Sequence, residues 1–156
     1  MTTLINTESK IIAGIAARTT NARESAPDTA SIPDLWSRFF GENIGAQISN
    51  AHGSHTVYGV YTDYESDHTG EYTLLIGKAI DEEASAPEGM TTKRLLAGTY
   101  LKFERTGKLP EAVIETWKDI WAYFEDATEY KRVYTADFEE YTSEEGIAIY
   151  IAVEKH

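Results

Sequence analysis

Apolar and β-branched runs alternate with polar, turn-forming segments along most of the chain. Such runs favour extended backbone and predict strands. The predicted strands cover about residues 10–18, 56–62, 72–78 and 93–104, then a run around Tyr130–Tyr141 and the alternating residues 147–153. Polar residues 63–71 separate the second run from the third, so these two runs predict a hairpin. Residues 19–30 are small and polar, and they predict a loop.

Two segments carry the spacing of amphipathic helices. The first begins at Pro33, a typical first-turn proline, and ends before Gly41. Its apolar residues are Leu35, Trp36, Phe39 and Phe40. The second covers about residues 110–127, and on a helical wheel Val113, Ile114, Trp117, Ile120, Trp121 and Phe124 fall within an arc of about 120°. This arc predicts a face committed to the core, with Trp121 and Phe124 in it.

The predicted elements occur twice in the order strand, helix, strand, strand, which indicates an internal repeat. Three pairs of short matches support it: residues 10–14 with 94–98, Leu35-Trp36 and Phe39 with Ile120-Trp121 and Phe124, and residues 63–65 with 137–139. The copies would span about residues 9–80 and 92–155 of a single domain, residues 1–156. Neither copy buries enough surface alone, so their two small sheets are expected to join.

The predicted fold class is therefore α+β, with two pseudo-symmetric β-α-β-β repeats. They would form a curved antiparallel sheet with two helices on one face and a ligand groove on the other.

Composition narrows the classes of function. Acidic residues outnumber basic ones 26 to 14, and the basic residues are scattered, so direct binding to nucleic acid is not expected. The chain has no Cys, which excludes thiol catalysis and disulfides. The most apolar stretch, residues 11–17, is too short to span a membrane, and a cytoplasmic location is expected. His52 and His55 have no third ligand nearby, so neither a metal site nor a cofactor is predicted.

The segment 137–141 offers the best candidate chemistry. Strand alternation puts Glu139 and Tyr141 on one face and Phe138 on the other. If Phe138 packs beneath the helix, Glu139 and Tyr141 face the groove, and the same logic sends Glu65 of the first copy there. A carboxylate among aromatic rings suits a flat cationic ligand, because rings add cation–π attraction of roughly 0.5–2 kcal/mol. The alternative interpretation is that Glu139 is a solvated strand residue and the aromatic residues form the core.

Several segments together resemble the gyrase-inhibitor-like family, the effector-binding domain also found at the C-terminus of AraC-type and MerR-type regulators. The resemblance covers about residues 9–155. It rests on Tyr100-Leu-Lys-Phe103 with Gly107, Trp117 and Trp121 on the helix, Tyr130, the Phe138-Glu139 pair with Tyr141, and Ile149-Tyr-Ile-Ala-Val153. It implies two strand-helix-strand-strand units with a ligand groove between them. It also makes Glu139 similar to the buried acid that meets cationic drugs in multidrug-binding members, with Tyr141 beside it.

These observations lead to one leading hypothesis and two alternatives. The leading hypothesis is a stand-alone sensor or sequestering protein for hydrophobic cationic or aromatic molecules, since no helix-turn-helix segment is recognised before residue 9. The predicted ligand-binding residues are Glu139, Tyr141, Trp117, Tyr100, Phe103, Tyr61, Glu65 and Trp36. The first alternative, implied by hydrolases that resemble this fold, is hydrolysis of cyclopropane-bearing natural products, with Glu139 acting on water and Tyr141 or a Trp holding the substrate. The second alternative is an acidic protein that acts on a macromolecular partner.

Overall fold

The computed structural model describes residues 2–48, 56–66, 69–80, 87–109, 111–125, 129–143 and 145–155. The strands are β1 (Thr2–Thr7), β2 (Lys10–Thr19), β3 (Val57–Thr62), β4 (Tyr72–Ile80), β5 (Thr91–Leu95), β6 (Gly98–Thr106), β7 (Tyr130–Arg132), β8 (Ala136–Ser143) and β9 (Gly146–Lys155). The helices are α1 (Asn21–Glu24), α2 (Ile32–Gly41), α3 (Ile44–Gln47) and α4 (Glu111–Glu125).

The strands form one antiparallel sheet in the order β1-β6-β9-β8-β3-β4-β2-β5, and β7 pairs with β9 off this path. Two units of the same topology lie side by side: β2-β4-β3 with α2, and β6-β9-β8 with α4. They join through the central pair β3–β8, where Gly59 lies opposite Glu139. The outer strand next to each unit precedes the other unit in sequence, since β1 pairs with β6 and β5 with β2. The predicted α+β class with paired β-α-β-β units is confirmed.

Two of the three short sequence matches that suggested the repeat occupy non-equivalent positions in the two units. Residues 10–14 lie inside β2, whereas residues 94–98 cross the break between β5 and β6. Asp63 follows β3, whereas Asp137 lies inside β8. The topology therefore repeats although these matches are out of register, because each element is specified by its hydrophobic pattern rather than by fixed residues.

Local structure departs from the sequence prediction at several places, among them helix α3, which was not predicted, and the predicted run 130–141, which is divided into β7 and β8. The strand predicted over 93–104 is two strands, β5 and β6, separated at residues 96–97. The predicted loop 19–30 contains α1, whose N-terminus is capped by the Thr20 side chain accepting a hydrogen bond from the Arg23 amide. Strand β1 was not predicted because only Leu4 and Ile5 in it are apolar, as an edge strand with little burial allows.

Both long helices lie on one face of the sheet and cover the strands that flank the central pair β3–β8. Helix α2 packs Leu35 and Phe39 on β2 and β4. Helix α4 packs Ile120 on β6 and β9. The central pair β3–β8 is thus left between the two helices, and the side chains of Tyr61 and Glu139 on this face point into the space.

The opposite face of the sheet forms a second core, in which aromatic rings bury one another. Phe138 stacks on Tyr150 with centroids 4.4 Å apart and meets Tyr100 edge to face at 5.4 Å. Lys10 covers the Phe138 ring, with its Nζ 5.0 Å from the centroid. Phe138 therefore faces away from the helices, and Glu139 faces toward them. The expectation that Phe138 packs beneath the helix, and that the groove lies on the helix-free face, is wrong.

The buried stripe of α4 also differs from the predicted one. Its buried residues are Ala112, Thr116 and Ile120. Ile114 is 52% exposed and Trp121 47% exposed, although both fall in the predicted core arc. The reason is that α4 turns only one edge of its apolar arc onto the sheet and turns the other edge toward the space above β3 and β8.

Candidate functional site

A cavity of about 300 Å³ lies on the helix-bearing face of the sheet, between α4 and the segment that joins β2 to α2. The strands supply Tyr61, Tyr72 and Glu139, while α4 supplies Trp117 and Trp121 among others. Tyr61 meets Trp117 edge to face, with centroids 5.3 Å apart. The walls are therefore mainly aromatic, and one carboxyl group lies among them.

Glu139 is almost completely buried, at 1% exposure, and accepts three hydrogen bonds. Tyr61 Oη donates to Oε2 at 2.9 Å and Trp117 Nε1 donates to Oε2 at 2.7 Å. Tyr141 Oη donates to Oε1 at 2.6 Å. These donors come from both units, so the carboxyl group marks the place where the two units meet.

Glycine at position 59 makes room for this carboxyl group. Gly59 lies directly opposite Glu139 in the β3–β8 pair. A Cβ atom at position 59 would lie 2.8 Å from Glu139 Oε1 and 3.6 Å from Trp36 Cζ2. Since the first distance is closer than a Cβ atom and an oxygen can approach without strain, any other residue here would displace the acid.

Burial dominates the protonation chemistry of the site. It raises the pKa of Glu139, while the hydrogen bonds from Trp117, Tyr141 and Tyr61 act against that rise. Burial also raises the pKa of Tyr61 and Tyr141 well above the usual range, and the nearby Glu139 charge adds to the rise. All three donors thus keep their protons and are neutral. Within the described residues the carboxylate has dipoles to orient it and no cation to neutralise it.

Among the described residues that line the cavity, Arg132 is the only cation, and it already forms an ion pair. Arg132 is 8% exposed, and its Nη2 lies 2.7 Å from Oδ2 of Asp137, which is 0% exposed. Asp137 also accepts hydrogen bonds from Tyr64 Oη and, at 2.9 Å, from the Ala152 amide. The positive charge of Arg132 and the negative charge of Asp137 neutralise each other, so Arg132 does not offset the charge of an ionised Glu139.

The mouth of the cavity exposes apolar surface. Ile114 and Trp121 line it and are about half exposed. Trp121 lies beside Trp117, with ring centroids 6.1 Å apart. Two large apolar side chains exposed at the rim of a concave site are typical of a ligand-binding surface.

The structure brings some of the predicted site residues together and separates others. Glu139, Trp117 and Tyr61 line the cavity. Tyr141 and Trp36 are not among the lining residues. Tyr141 donates a hydrogen bond to Glu139, and Trp36 packs on Tyr141 with ring centroids 5.2 Å apart, so this pair holds the carboxyl group in position.

The remaining predicted residues lie elsewhere. Tyr100 belongs to the core of the opposite face, and Phe103 is buried beneath α4 against Tyr123. Glu65 is exposed in the loop between β3 and β4. His52 and His55 lie outside the described residues.

Sequence reasoning missed nine lining residues. It assigned Val113, Ile114 and Trp121 to the core face of α4, and it gave no role in the site to the other six, which are Asn21, Glu24, Ile32, Tyr64, Tyr72 and Arg132. Three of them come from the predicted loop and its junction with α2, where a polar composition gave no signal. Tyr72 lies on the predicted strand 72–78, but only the strand order shows that its side chain lies beside Tyr61 of β3.

No helix in the described part of the chain is long and apolar enough to cross a membrane.

A mainly aromatic cavity with a buried acid, formed where two β-α-β-β units meet, is typical of a small-molecule-binding domain. Residues 3–153 match the family model Cass2, the integron-associated effector binding proteins, so the chain belongs to this family. The resemblance to gyrase-inhibitor-like domains, inferred from the sequence, is thereby confirmed.

Individual relatives agree with this assignment. The Vibrio cholerae integron cassette protein VCH_CASS2 is 35% identical, with a TM-score of 0.85 over 98% of this chain and 95% of that one. YobU of Bacillus subtilis (strain 168), a proposed transcriptional regulator, is 31% identical over 94% of this chain and 93% of its own length. The structure of SAV2435 bound to tetraphenylphosphonium has a TM-score of 0.81 at 20% identity, over 99% of this chain and 94% of that one. At 20% identity, the similarity to SAV2435 shows a shared fold and no more.

Proposed function

We propose that this protein binds a hydrophobic aromatic cation in the cavity beside Glu139, and that it acts as a sensor or sequestering protein for such molecules. The observation that carries the proposal is a fully buried carboxyl group whose partners are neutral donors, at the wall of an aromatic cavity.

The electrostatics of the buried carboxylate favour a cationic ligand. A buried carboxylate without a counter-charge is costly, and its raised pKa reflects that cost. A ligand cation would supply the counter-charge, and the faces of Tyr61 and Trp117 would add cation–π attraction of roughly 0.5–2 kcal/mol. Because the three donors hold the carboxylate in place, little conformational freedom is lost when the ligand binds.

The size and surface of the cavity narrow the ligand class. A volume of about 300 Å³ is at the lower end of the range for small-molecule sites. The exposed side chains of Ile114 and Trp121 would cover apolar rings of the ligand at the mouth. SAV2435, which shares the fold, was determined with tetraphenylphosphonium, an organic cation with aromatic rings, and this supports the same class here.

The test is a titration of the purified protein with tetraphenylphosphonium, by calorimetry and by tryptophan fluorescence. We expect measurable binding, weakened on the order of tenfold or more in Glu139→Gln, which keeps the shape of the side chain and removes its charge. Triphenylphosphine oxide is the neutral control ligand and should bind much more weakly.

The matched control variant is Glu140→Gln. Glu140 is the next residue in β8 and lies on the opposite face, where Tyr58 and Tyr150 donate to it. Its substitution changes the net charge by the same amount and should leave the affinity unchanged. Absence of binding by any aromatic cation, or equal losses in the two variants, would contradict the proposal.

The raised pKa of a buried acid beside a cavity also motivates the hydrolase alternative. A general base must offer a free lone pair to water. Oε2 of Glu139 already accepts two hydrogen bonds, and Oε1 accepts one and faces Gly59, so the geometry supports binding better than catalysis. Incubation with a cyclopropane-bearing electrophile tests the alternative. Equal product formation by the wild type and Glu139→Gln would exclude hydrolysis by this acid.

A further inference from the structure

The cavity contains a second carboxylate, which belongs to Glu24 at the end of α1. Glu24 is half-buried, and its oxygens accept hydrogen bonds from the amides of Ser31, at 2.9 Å and 3.1 Å, and Ile32, at 2.9 Å. The hydroxyl of Thr19 also donates to it. Since Ser31 makes no side-chain cap, the carboxylate of Glu24 caps α2 and is itself held firmly against the cavity wall.

Two tyrosine rings separate the two carboxylates. The hydroxyl of Tyr72 donates to Asn21 Oδ1 at 3.1 Å, on the same short helix as Glu24. The Tyr72 ring lies 5.6 Å from the Tyr61 ring, and Tyr61 donates to Glu139. The charges of both Glu24 and Glu139 raise the pKa of Tyr72, in addition to the effect of burial, so its hydroxyl lies within the field of each.

The charges around the cavity do not cancel. Arg132 is the only basic residue among the described residues that line it, and Asp137 already neutralises it. The amides at the start of α2 offset part of the Glu24 charge, as the positive end of a helix does, but not a whole unit. With a monocation beside Glu139, Glu24 would remain as an uncompensated negative charge at the other side of the tyrosine pair.

We propose that the cavity prefers a rigid aromatic dication, with one positive charge beside Glu139 and the other beside Glu24 on either side of the Tyr61–Tyr72 pair. This inference rests on the proposed function, because it takes the Glu139 end as a cation site. Aromatic rings between the two charges of the ligand would pack on the two tyrosine rings. The second charge would gain attraction in a partly desolvated site, where the effective dielectric constant is well below that of water.

Two probes of nearly equal shape isolate the second charge. N,N′-dimethyl-4,4′-bipyridinium carries two charges on a pair of linked rings, and N-methyl-4-phenylpyridinium carries one on the same framework. For the wild type we expect the dication to bind tighter by on the order of tenfold. Its affinity should also fall more steeply with added salt than that of the monocation.

The variant Glu24→Gln tests the residue. The amide oxygen of glutamine can still accept from the α2 amides, so the cap is retained while the charge is lost. Dication affinity should fall on the order of fivefold, and monocation affinity should stay within about twofold. The control is Asp34→Asn, an exposed acid in the first turn of α2 that alters the net charge equally and should change neither affinity.

The outcomes separate the two proposals. Glu139-dependent binding of the monocation, with a dication that binds no tighter, overturns the dication preference and leaves the proposed function intact. Equal losses for both probes in Glu24→Gln overturn it too, because they assign Glu24 to positioning the wall. Binding of neither probe nor tetraphenylphosphonium overturns both proposals. If Glu24→Gln does not fold, the wild-type affinity ratio and its salt dependence still decide the question.

Discussion

Substitution of Gly59 by alanine tests how the carboxyl group of Glu139 is accommodated. The added methyl group would lie 2.8 Å from Glu139 Oε1, so the carboxyl group must move. Tyr141 donates to the same oxygen at 2.6 Å, and a hydrogen bond to a charged group contributes roughly 1.5–3 kcal/mol. In the opposite direction, alanine restricts the unfolded chain more than glycine does, which stabilises the fold by about 0.4–1 kcal/mol. The net expectation is a loss of about 0.5–2.5 kcal/mol in the free energy of unfolding.

Two assays report on this displacement. Urea denaturation measures the loss of stability, and titration with tetraphenylphosphonium should show affinity lowered on the order of tenfold, because the acid no longer faces the cavity in its native position. Gly41→Ala is the control, since a methyl group there meets no atom within 4 Å at the end of α2. That variant should gain about 0.5–1 kcal/mol and bind normally.

A double-mutant cycle tests whether the strain comes from the contact between position 59 and Glu139. In a Glu139→Ala background the oxygen that opposes the new methyl group is absent, so Gly59→Ala should cost little or nothing. An equal cost in both backgrounds would show that the strain arises elsewhere in the β3–β8 pair. Wild-type stability and affinity for Gly59→Ala alone would also refute the close contact.

Three further predictions follow from burial. The raised pKa of Glu139 means that the folded state binds the proton more tightly than the unfolded state does. The protonated group therefore stabilises the fold fully below its ordinary pKa of 4.5, and this stabilisation is lost as pH rises through the folded-state pKa. Urea titrations over about pH 4–8 should show Glu139→Gln gaining stability relative to wild type, and the affinity of the wild type for a cation should rise over the same interval. Asp137→Asn removes the partner of a buried guanidinium and should cost about 3–5 kcal/mol, whereas Glu154→Gln, in an exposed ion pair, should cost less than about 1 kcal/mol by the same assay. Thermal unfolding should distinguish Ile120→Ala, which costs about 2–5 kcal/mol, from Trp121→Ala, which changes stability little and weakens ligand binding; a large loss of stability in Trp121→Ala would contradict the exposed position of that ring.

The sequence was sufficient to predict the order of the main elements and the class of fold, because hydrophobic spacing is a local property. It could not decide which sheet face carries the helices. Alternation separates Phe138 from Glu139 and is silent on which of them lies beneath α4. An aromatic residue was expected under the helix, but here the rings of Phe138, Tyr100 and Tyr150 bury one another on the opposite face.

The site was partly predictable for the same reason. Glu139, Trp117 and Tyr61 carry the signals of a charged residue in a strand and of aromatic residues on regular elements. Glu24 carries none, since a polar loop with a glutamate is ordinary in sequence. Its position in the cavity depends on hydrogen bonds to Ser31 and to other residues that only the folded chain brings near.

The binding site depends on the asymmetry of two units that share a topology. At the junction the first unit supplies Gly59 and the second supplies Glu139, directly opposite each other. Two acids at this pair would be two like charges in a buried site, and two glycines would leave the aromatic donors without an acceptor. The tryptophans of the two long helices also have different roles. Trp36 of α2 packs on Tyr141, whereas Trp117 of α4 donates a hydrogen bond to Glu139. A single carboxyl group at the junction thus draws its support from both units, and this explains why the cavity is formed where they meet rather than within either one.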